Sequence, residues 1–229
     1  MTHGAAREFA VAQIFSPAAD TWLRLFLLTA VSLSAGSIVF AIGYARSDWL
    51  TGANIHPRAQ PVPFSHKHHA GQLGIDCRYC HTSVADSPRA GLPSTHICMT
   101  CHSQIWTQAG LLAPVRASLA HKRSINWNRV AVLPDYVYFR HDVHIAKGVG
   151  CVECHGRVDR MPLTYRTVPL TMEFCLDCHR DPGPRLRPQS QVSSMSWKPE
   201  QDREALAQQL IAHYGIRTGR LTHCSVCHR

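Results

Sequence analysis

Apolar residues are concentrated in one long run near the N-terminus. Residues 25–44, LFLLTAVSLSAGSIVFAIGY, contain no charged side chain, and about 20 apolar residues let an α-helix cross the hydrocarbon core of a bilayer. Trp22 and Tyr44 lie where interfacial aromatic residues usually sit. The pattern predicts a transmembrane anchor over residues 22–45, after an N-terminal segment at 1–21.

A cleaved signal peptide is the alternative for this run, because small residues near its end offer a cleavage site. The run is longer than the roughly 7–15 apolar residues of a typical signal peptide, and the segment before it is long and only weakly basic. We therefore expect an uncleaved anchor. Residues 46–62, rich in proline, glycine and alanine, follow as a tether.

The ten cysteines all fall into CxxC pairs, and a histidine follows every pair. CxxCH is the attachment signature of c-type haem, in which two thiols form thioethers and the imidazole is the proximal iron ligand. We number the five motifs along the chain. Their cysteines are Cys77/Cys80, Cys98/Cys101, Cys151/Cys154, Cys175/Cys178 and Cys224/Cys227, and their histidines are His81, His102, His155, His179 and His228.

Zinc and disulfides are the rival uses of paired cysteines. Two gaps between pairs resemble zinc-ribbon spacing, but a histidine after all five pairs has chance odds on the order of one in a million, and five pairs do not divide into four-cysteine sites. Disulfides need no adjacent histidine and usually join cysteines farther apart. Five covalently attached haem c groups account for every cysteine at once.

Five haems leave about 37 residues each after the anchor, too few for a conventional side-chain core around every haem. We therefore predict a multihaem cytochrome c, with one N-terminal transmembrane helix followed by a haem-cored, mostly irregular domain of short α-helices in cytochrome c3-like dihaem modules. One longer helix is predicted from Pro199 to Tyr214, opened by its proline and closed by Gly215.

A unit of FxHxxH, a spacer and CxxCH occurs twice, as FSHKHHAGQLGIDCRYCH from Phe64 and FRHDVHIAKGVGCVECH from Phe139. A further CxxCH follows each copy. The repeat predicts a first dihaem module at residues 63–135, a second at 136–190, and a C-terminal helix and fifth-haem segment at 191–229.

Low-spin haems need a second axial ligand, and FxHxxH supplies two imidazoles three residues apart that can serve different irons. In cytochromes of the c3 type, which this arrangement resembles, the first histidine serves the haem just downstream and the second a neighbouring one; the pairing here stays open. His68 has Val143 as its counterpart and is predicted not to be a ligand, and both phenylalanines are expected to pack against a haem face. The predicted distal ligands are His66, His69, His141 and His144.

The fifth distal ligand has two main candidates. Met172 lies three residues before Cys175, and a methionine ligand raises the potential of its haem. His213 lies eleven residues before Cys224, the same offset as His66 to Cys77. The residues alone leave both open, and His96, His121 and His223 are weaker candidates.

The anchor together with PVPFSHKHH, GIDCRYCHTSV, CMTCHSQIW, LPDYVYFRHDVHIAKGVGCVECHGRV, MPLTYRTVPLTMEFCLDCHRDP and CSVCHR resembles the membrane-anchored pentahaem cytochrome subunit of bacterial alternative complex III. The resemblance implies a non-catalytic subunit of a quinol:electron acceptor oxidoreductase. It implies partners in polytopic quinol-oxidising subunits, an iron-sulfur subunit and a monohaem cytochrome, and electron delivery to a periplasmic carrier or terminal oxidase. The TMEFC stretch favours Met172 as the fifth ligand.

Haem attachment takes place outside the cytoplasm, so we expect a single-pass protein of the bacterial inner membrane with its haem domain on the periplasmic side and residues 1–21 in the cytoplasm. The net charge of +9 either steers acidic partners or neutralises haem propionates. Nothing indicates nucleic-acid binding.

Two other functions fit the motifs less well. A catalytic nitrite or hydroxylamine reductase would usually carry CxxCK, which is absent, and a free-standing quinol dehydrogenase would carry CxxCHxM, whereas Thr82 and Ser83 follow His81.

Overall fold

A computed structural model of the protein describes residues 16–47, 56–200 and 202–228. The chain divides into two units, residues 1–50 and 51–229. In the described ranges there is no strand, and two isolated β-bridges join Val137 to His228 and Val149 to Leu186. The α-helices are Pro17–Ala45, Cys77–Cys80, Thr95–His102, Ala113–Ala120, His141–Ala146, Cys151–His155, Met172–Arg180, Arg203–His213 and Cys224–Cys227. One π-helix spans Lys67–Gln72. The 3-10 turns are Gly110–Leu112, Val158–Arg160, Gly183–Arg185, Gln189–Gln191 and Thr218–Arg220.

The first unit contains one apolar helix, Pro17–Ala45, of 29 residues. At 1.5 Å per residue it is about 44 Å long, enough to cross a membrane. It begins five residues before the predicted start at Trp22, because the Ser16 hydroxyl accepts a hydrogen bond from the Ala19 N–H and a proline stands at the first helical position. Residues 1–15, most of the predicted N-terminal segment, lie outside the described part.

The second unit has little side-chain core of its own. Its buried apolar residues in the described part form two small clusters, one around Val84, Ile145 and Val192 and the other around Leu186, Leu206 and Leu210. Short helices, 3-10 turns and irregular segments connect them. This architecture agrees with the predicted class, in which covalently attached macrocycles supply much of the buried apolar surface.

The C-terminal helix begins later than predicted, at Arg203 instead of Pro199. The Asp202 carboxylate accepts a hydrogen bond from the Ala205 N–H at 2.9 Å, and a carboxylate at this position satisfies a free helix N–H that proline cannot. The helix ends at His213, followed by Gly215 with φ +58°. Its buried face includes Leu206 and Leu210.

The two FxHxxH copies form different helices. In the first, Lys67–Gln72 is a π-helix in which the Leu73 N–H donates to the His68 carbonyl, five residues back. In the second, His141–Ala146 is an α-helix in which Lys147 donates to Val143, four residues back. The first spacer is one residue longer, and a π-helix is a usual way to absorb one extra residue.

Candidate functional site

Each CxxCH motif lies on a short helix or in its last turn, with its two cysteines three residues apart. That spacing puts both thiols on one helix face, as attachment to one macrocycle requires. All ten cysteines are free thiols. Within the described residues no three His, Cys, Asp or Glu side chains converge on one metal position, whereas a structural zinc site uses four ligands.

Three pairs of histidine rings have the separation expected across a single iron. Two imidazoles on opposite sides of one metal, each with a metal–nitrogen bond of about 2 Å, have ring centroids about 6 Å apart. Every pair joins a distal candidate to the histidine of a motif. The centroid separations are 6.4 Å for His141 and His155, 6.2 Å for His144 and His179, and 6.2 Å for His69 and His102.

The fourth distal candidate, His66, lies near motif 1. Burial lowers the pKa of His66 to about 4, and His81 makes the next largest contribution, ahead of His69 on the same turn. Burial also lowers the pKa of His155 to about 4. Both rings are therefore neutral at pH 7, the form in which an imidazole nitrogen binds metal.

The imidazoles are oriented by hydrogen bonds at Nδ1. A backbone carbonyl can only accept, so Nδ1 carries the proton and donates it, and Nε2 keeps the lone pair that binds metal. Seven of these rings have Nδ1 within 2.6–3.3 Å of a carbonyl oxygen. The pairs are His69–Ser65, His81–Gly91, His102–Ile105, His141–Pro88, His144–Arg140, His179–Leu221 and His228–Tyr136.

His66 and His141, the first histidines of the two copies, are each anchored by the other module. The His66 Nδ1 lies 2.8 Å from the Thr164 hydroxyl of the second module, and the His141 Nδ1 lies 3.0 Å from the Pro88 carbonyl of the first. The second histidines are anchored locally. Each module therefore positions the first FxHxxH histidine of the other, and nothing in the spacing around Thr164 indicated this contact.

Phe64 and Phe139 pack on the histidine rings of their own copies. The Phe64 ring stacks on His69 at 4.4 Å and meets His66 edge-on at 4.9 Å. The Phe139 ring stacks on His144 at 4.5 Å and meets His141 edge-on at 4.7 Å. Each phenylalanine thus fixes the angle between two imidazoles, a more specific role than packing on a haem face.

His68 differs from its neighbours. Its Nδ1 lies 2.9 Å from the side-chain oxygen of Gln72, and its ring is exposed. It stays a predicted non-ligand.

Motifs 1 and 3 meet at one short segment, residues 192–193. The neighbouring Cys77 thiol and burial together raise the pKa of the Cys151 thiol. The Cys77 sulfur lies 3.9 Å from the Ser193 carbonyl oxygen, and the Cys151 N–H donates to the Val192 carbonyl at 2.9 Å. This junction joins the two modules.

Motifs 1 and 2 are also neighbours. Burial raises the pKa of the Cys80 thiol, and the nearby Cys98 thiol adds to the rise. The Tyr79 hydroxyl lies 3.1 Å from the Thr100 hydroxyl, which links the two motif helices.

Motifs 4 and 5 continue this series of neighbours. Burial raises the pKa of the Cys154 thiol to about 11, and the Cys178 thiol contributes next, so motif 4 adjoins motif 3. Burial raises the pKa of the Cys175 thiol, with a contribution from Cys227, so motif 5 adjoins motif 4. The five motifs therefore lie in the spatial order 2–1–3–4–5.

Cys101 of motif 2 and Cys224 of motif 5 differ from the other eight predicted attachment cysteines. Both side chains are exposed, whereas the other eight are half-buried. Each of these two motifs lies at an end of the series and has a neighbouring motif on one side only. The assignment of all ten cysteines as haem-attachment residues stays a prediction from their motifs.

The fifth distal position also stays a prediction. Met172 begins the helix that carries Cys175, and its side chain is 62% exposed. His213 ends the C-terminal helix, with its ring edge-on to Tyr214 at 4.9 Å. The offset of eleven that favoured His213 occurs only in the first copy, where the π-helix absorbs the extra residue; the second copy has an offset of ten. The offset is therefore not a signature of a ligand.

The motifs, the paired imidazoles and the strand-poor fold of the described residues are those typical of a multihaem cytochrome c. Residues 47–126 match the class III cytochrome c family. A protein of Nitratidesulfovibrio vulgaris described as "Menaquinone reductase, multiheme cytochrome c subunit" is 33% identical over 125 residues, which is 54% of this chain and 53% of that protein. The chain thus spans about half the length of the curated relative it matches.

Proposed function

We propose that the chain binds five haem c groups through the five CxxCH motifs, with two protein ligands at every iron. The support is the ring separation of about 6 Å in three pairs, the proximity of His66 to His81, and the Nδ1 hydrogen bonds that leave Nε2 free. Met172 is proposed opposite His228. The other ligand pairs are His66/His81, His69/His102, His141/His155 and His144/His179.

The residues present suit a low-spin haem. When bound, haem c supplies a one-electron redox centre at each motif. The chain's own residues fix the imidazole planes through Phe64 and Phe139, hold the Nδ1 protons on carbonyl oxygens, and bury His66 and His155 from water. Two ligands at every iron leave no open position for a substrate, which favours electron transfer over catalysis in this chain.

We infer that the protein is the electron-transferring subunit of a membrane quinol-oxidising complex of the alternative complex III type. The unbroken series of neighbouring motifs carries this proposal, because a carrier between two partners needs redox centres at both ends and close neighbours between them. Motif 2 and motif 5, whose Cys101 and Cys224 are exposed, are the two ends. The apolar helix Pro17–Ala45 would hold the chain in the bacterial inner membrane, with residues 51–229 on the periplasmic side.

Purification through an N-terminal tag from detergent-solubilised membranes tests this function. We expect polytopic quinol subunits, an iron-sulfur subunit and a monohaem cytochrome to copurify, and a quinol analogue to reduce the haems of the complex but not of the chain alone. Rapid reduction of the isolated chain by quinol would show instead a free-standing quinol dehydrogenase.

A second direction of electron flow is favoured by the relative from Nitratidesulfovibrio vulgaris, whose description names menaquinone reduction. In that case the same series of motifs would deliver electrons to a membrane quinone. The purified complex distinguishes the two directions. Haem reduction by menaquinol supports quinol oxidation, whereas menaquinone-dependent reoxidation of pre-reduced haems at a faster rate supports quinone reduction.

A further inference from the structure

Arg187 is a buried cation next to motif 3. Among residues 16–47, 56–200 and 202–228 it is the one charged residue that is fully buried, with 3% of its surface exposed. Its Nη2 lies 2.5 Å from the Glu153 carboxylate, and its Nη1 donates to the Ser194 carbonyl at 2.9 Å. Its Nε has no hydrogen-bond partner in the described part of the chain. Placing a charge there costs free energy that an apolar side chain would avoid.

The ion pair lies against motif 3 on two sides. Glu153 stands between Cys151 and Cys154, on the helix Cys151–His155 itself. The guanidinium packs on Gly150, immediately before that helix, because a Cβ atom at Gly150 would overlap the Arg187 Cζ. Glycine at position 150 is therefore what lets the cation approach the motif.

A purely structural role is the alternative. The Arg187 N–H donates to the Gly148 carbonyl at 2.9 Å, and the Tyr214 hydroxyl donates to the Arg187 carbonyl at 2.9 Å. Those two contacts use the backbone, whereas the bond from Nη1 to the Ser194 carbonyl and the Trp197 ring, 5.3 Å from Cζ, involve the side chain. A buried ion pair also adds little stability over an apolar pair of similar volume. A purely structural role would leave the potential of the centre at motif 3 unchanged, so potentiometry separates the two roles.

The first copy has Asp76 at the position that corresponds to Gly150, and the charges there are exposed to water. This contrast supports a role for the buried ion pair that is specific to motif 3. Asp76 pairs with Arg78 at 2.9 Å, but both side chains are more than 40% exposed, at 43% and 45%. Water screens such charges strongly, whereas a charge in a low-dielectric interior acts on a nearby redox centre with much greater strength.

We propose that the Arg187–Glu153 ion pair sets the reduction potential of the redox centre at motif 3. The proposal rests on the proposed function, in which motif 3 holds a haem c. A cation nearby stabilises the reduced form and an anion the oxidised form, so the two charges oppose each other. If one residue of the pair is replaced by a neutral one, the charge of the other is no longer opposed and acts in full on the reduction potential of the haem.

Potentiometric titration of the full haem-loaded chain tests the proposal. Glu153→Gln leaves Arg187 unopposed with its other contacts intact, and we expect one haem to rise in potential. Arg187→Gln leaves Glu153 unopposed, and the same haem should fall. Each shift should change the ratio of reduced to oxidised haem at fixed potential by about tenfold, equivalent to about 59 mV for one electron. The double variant should lie close to wild type.

Two glycine variants distinguish an effect of the position of the Arg187 charge from a general effect of adding a methyl group to the chain. Gly150→Ala adds one methyl group that displaces the guanidinium, so it should shift the potential of the same haem without changing any charge. Gly110→Ala is the matched control, since its Cβ atom would meet nothing within 4 Å. His141→Met, at the proposed distal ligand of motif 3, identifies which titration step belongs to that haem.

The outcomes distinguish this inference from the proposed function. Opposite shifts at the motif 3 haem support the inference. Five low-spin haems whose potentials stay unchanged in both single variants overturn it and leave the proposed function intact. Fewer than five haems in the intact mass of the wild-type chain overturn the proposed function itself.

Discussion

The two copies of FxHxxH–CxxCH place their rings alike on different backbones. The phenylalanine-to-histidine separations are 4.4 and 4.9 Å in the first copy and 4.5 and 4.7 Å in the second. The first copy is a π-helix and the second an α-helix. In both copies the end of the spacer bonds to the second histidine of FxHxxH, since the Ile75 N–H donates to the His69 carbonyl and the Val149 N–H to the His144 carbonyl. The placement of the imidazoles is therefore the shared feature, and the helix type adapts to it.

The copies differ most where they contact the rest of the chain. Gly71 in the first copy packs on the Asp159 carbonyl of the second module, whereas its counterpart Ala146 is exposed. Asp76 binds the Ser193 hydroxyl at 2.6 Å, whereas Gly150 makes room for Arg187. The placement of the histidine rings is thus duplicated, whereas the intervening positions differ and make the contacts that join the copies.

The largest effect is expected from loss of a distal imidazole. His66→Ala and His141→Ala should each convert one of five low-spin haems to high spin, because the iron loses one axial ligand. Low-temperature EPR of the oxidised protein measures this. His68→Ala is the control and should leave all haems low-spin; a high-spin signal from that variant, or none from the other two, would contradict the ligand assignment.

A methyl group at Gly71 should weaken the contact between the modules. Its Cβ atom would overlap the Asp159 carbonyl oxygen, and overpacking of this kind costs about 1–3 kcal/mol. We expect Gly71→Ala to lower the midpoint of denaturation of the haem-loaded protein. Ala146→Gly, the matched change in the second copy, should cost no more than about 1 kcal/mol. Equal losses would show that the two positions do not differ in packing.

Asp76→Asn should cost about 1 kcal/mol at neutral pH, as expected for a half-exposed ion pair with a hydrogen bond. The Arg78 guanidinium holds the pKa of the Asp76 carboxyl well below its usual range. In the unfolded chain the pKa of this carboxyl is about 3.9. The ion pair therefore stabilises the fold fully above that pH, and the stabilisation is lost as the pH falls below it. Denaturation of the wild type and of Asp76→Asn between pH 7 and pH 3 measures the difference in their free energies of unfolding. That difference should shrink below about pH 4. A difference that is constant with pH would exclude the charge as its cause.

The smallest effect is expected at Thr164. Thr164→Val removes the hydroxyl that lies 2.8 Å from the His66 Nδ1. If His66 binds iron through Nε2 as proposed, Nδ1 carries the proton and loses its acceptor, at a cost of about 0.5–1 kcal/mol. A less basic imidazole stabilises ferric iron less, so the haem at motif 1 should rise slightly in potential. Redox titration checks this, with Thr107→Val as a control outside the contact. The second copy offers no equivalent variant, since His141 is held by a backbone carbonyl.

The candidate site could be located from the sequence because its residues occur in local motifs. The attachment cysteines, their histidines and the FxHxxH candidates follow from spacing alone. The resemblance to c3-type cytochromes already suggested the pattern that the three ring separations follow. The order of the motifs could not be predicted, because it depends on contacts between residues far apart, and neither could the contact of His66 with Thr164. The start of the C-terminal helix was predicted too early, since the cap at Asp202 competes with a proline signal at Pro199.

The intact mass of the purified chain, combined with EPR of the same sample, tests the central claim most directly. We predict a mass increase of five haem groups on one chain and a spectrum of low-spin ferric haems only. A mass increase of fewer than five haems, or a substantial high-spin signal that shifts on addition of cyanide or nitrite, would contradict the account.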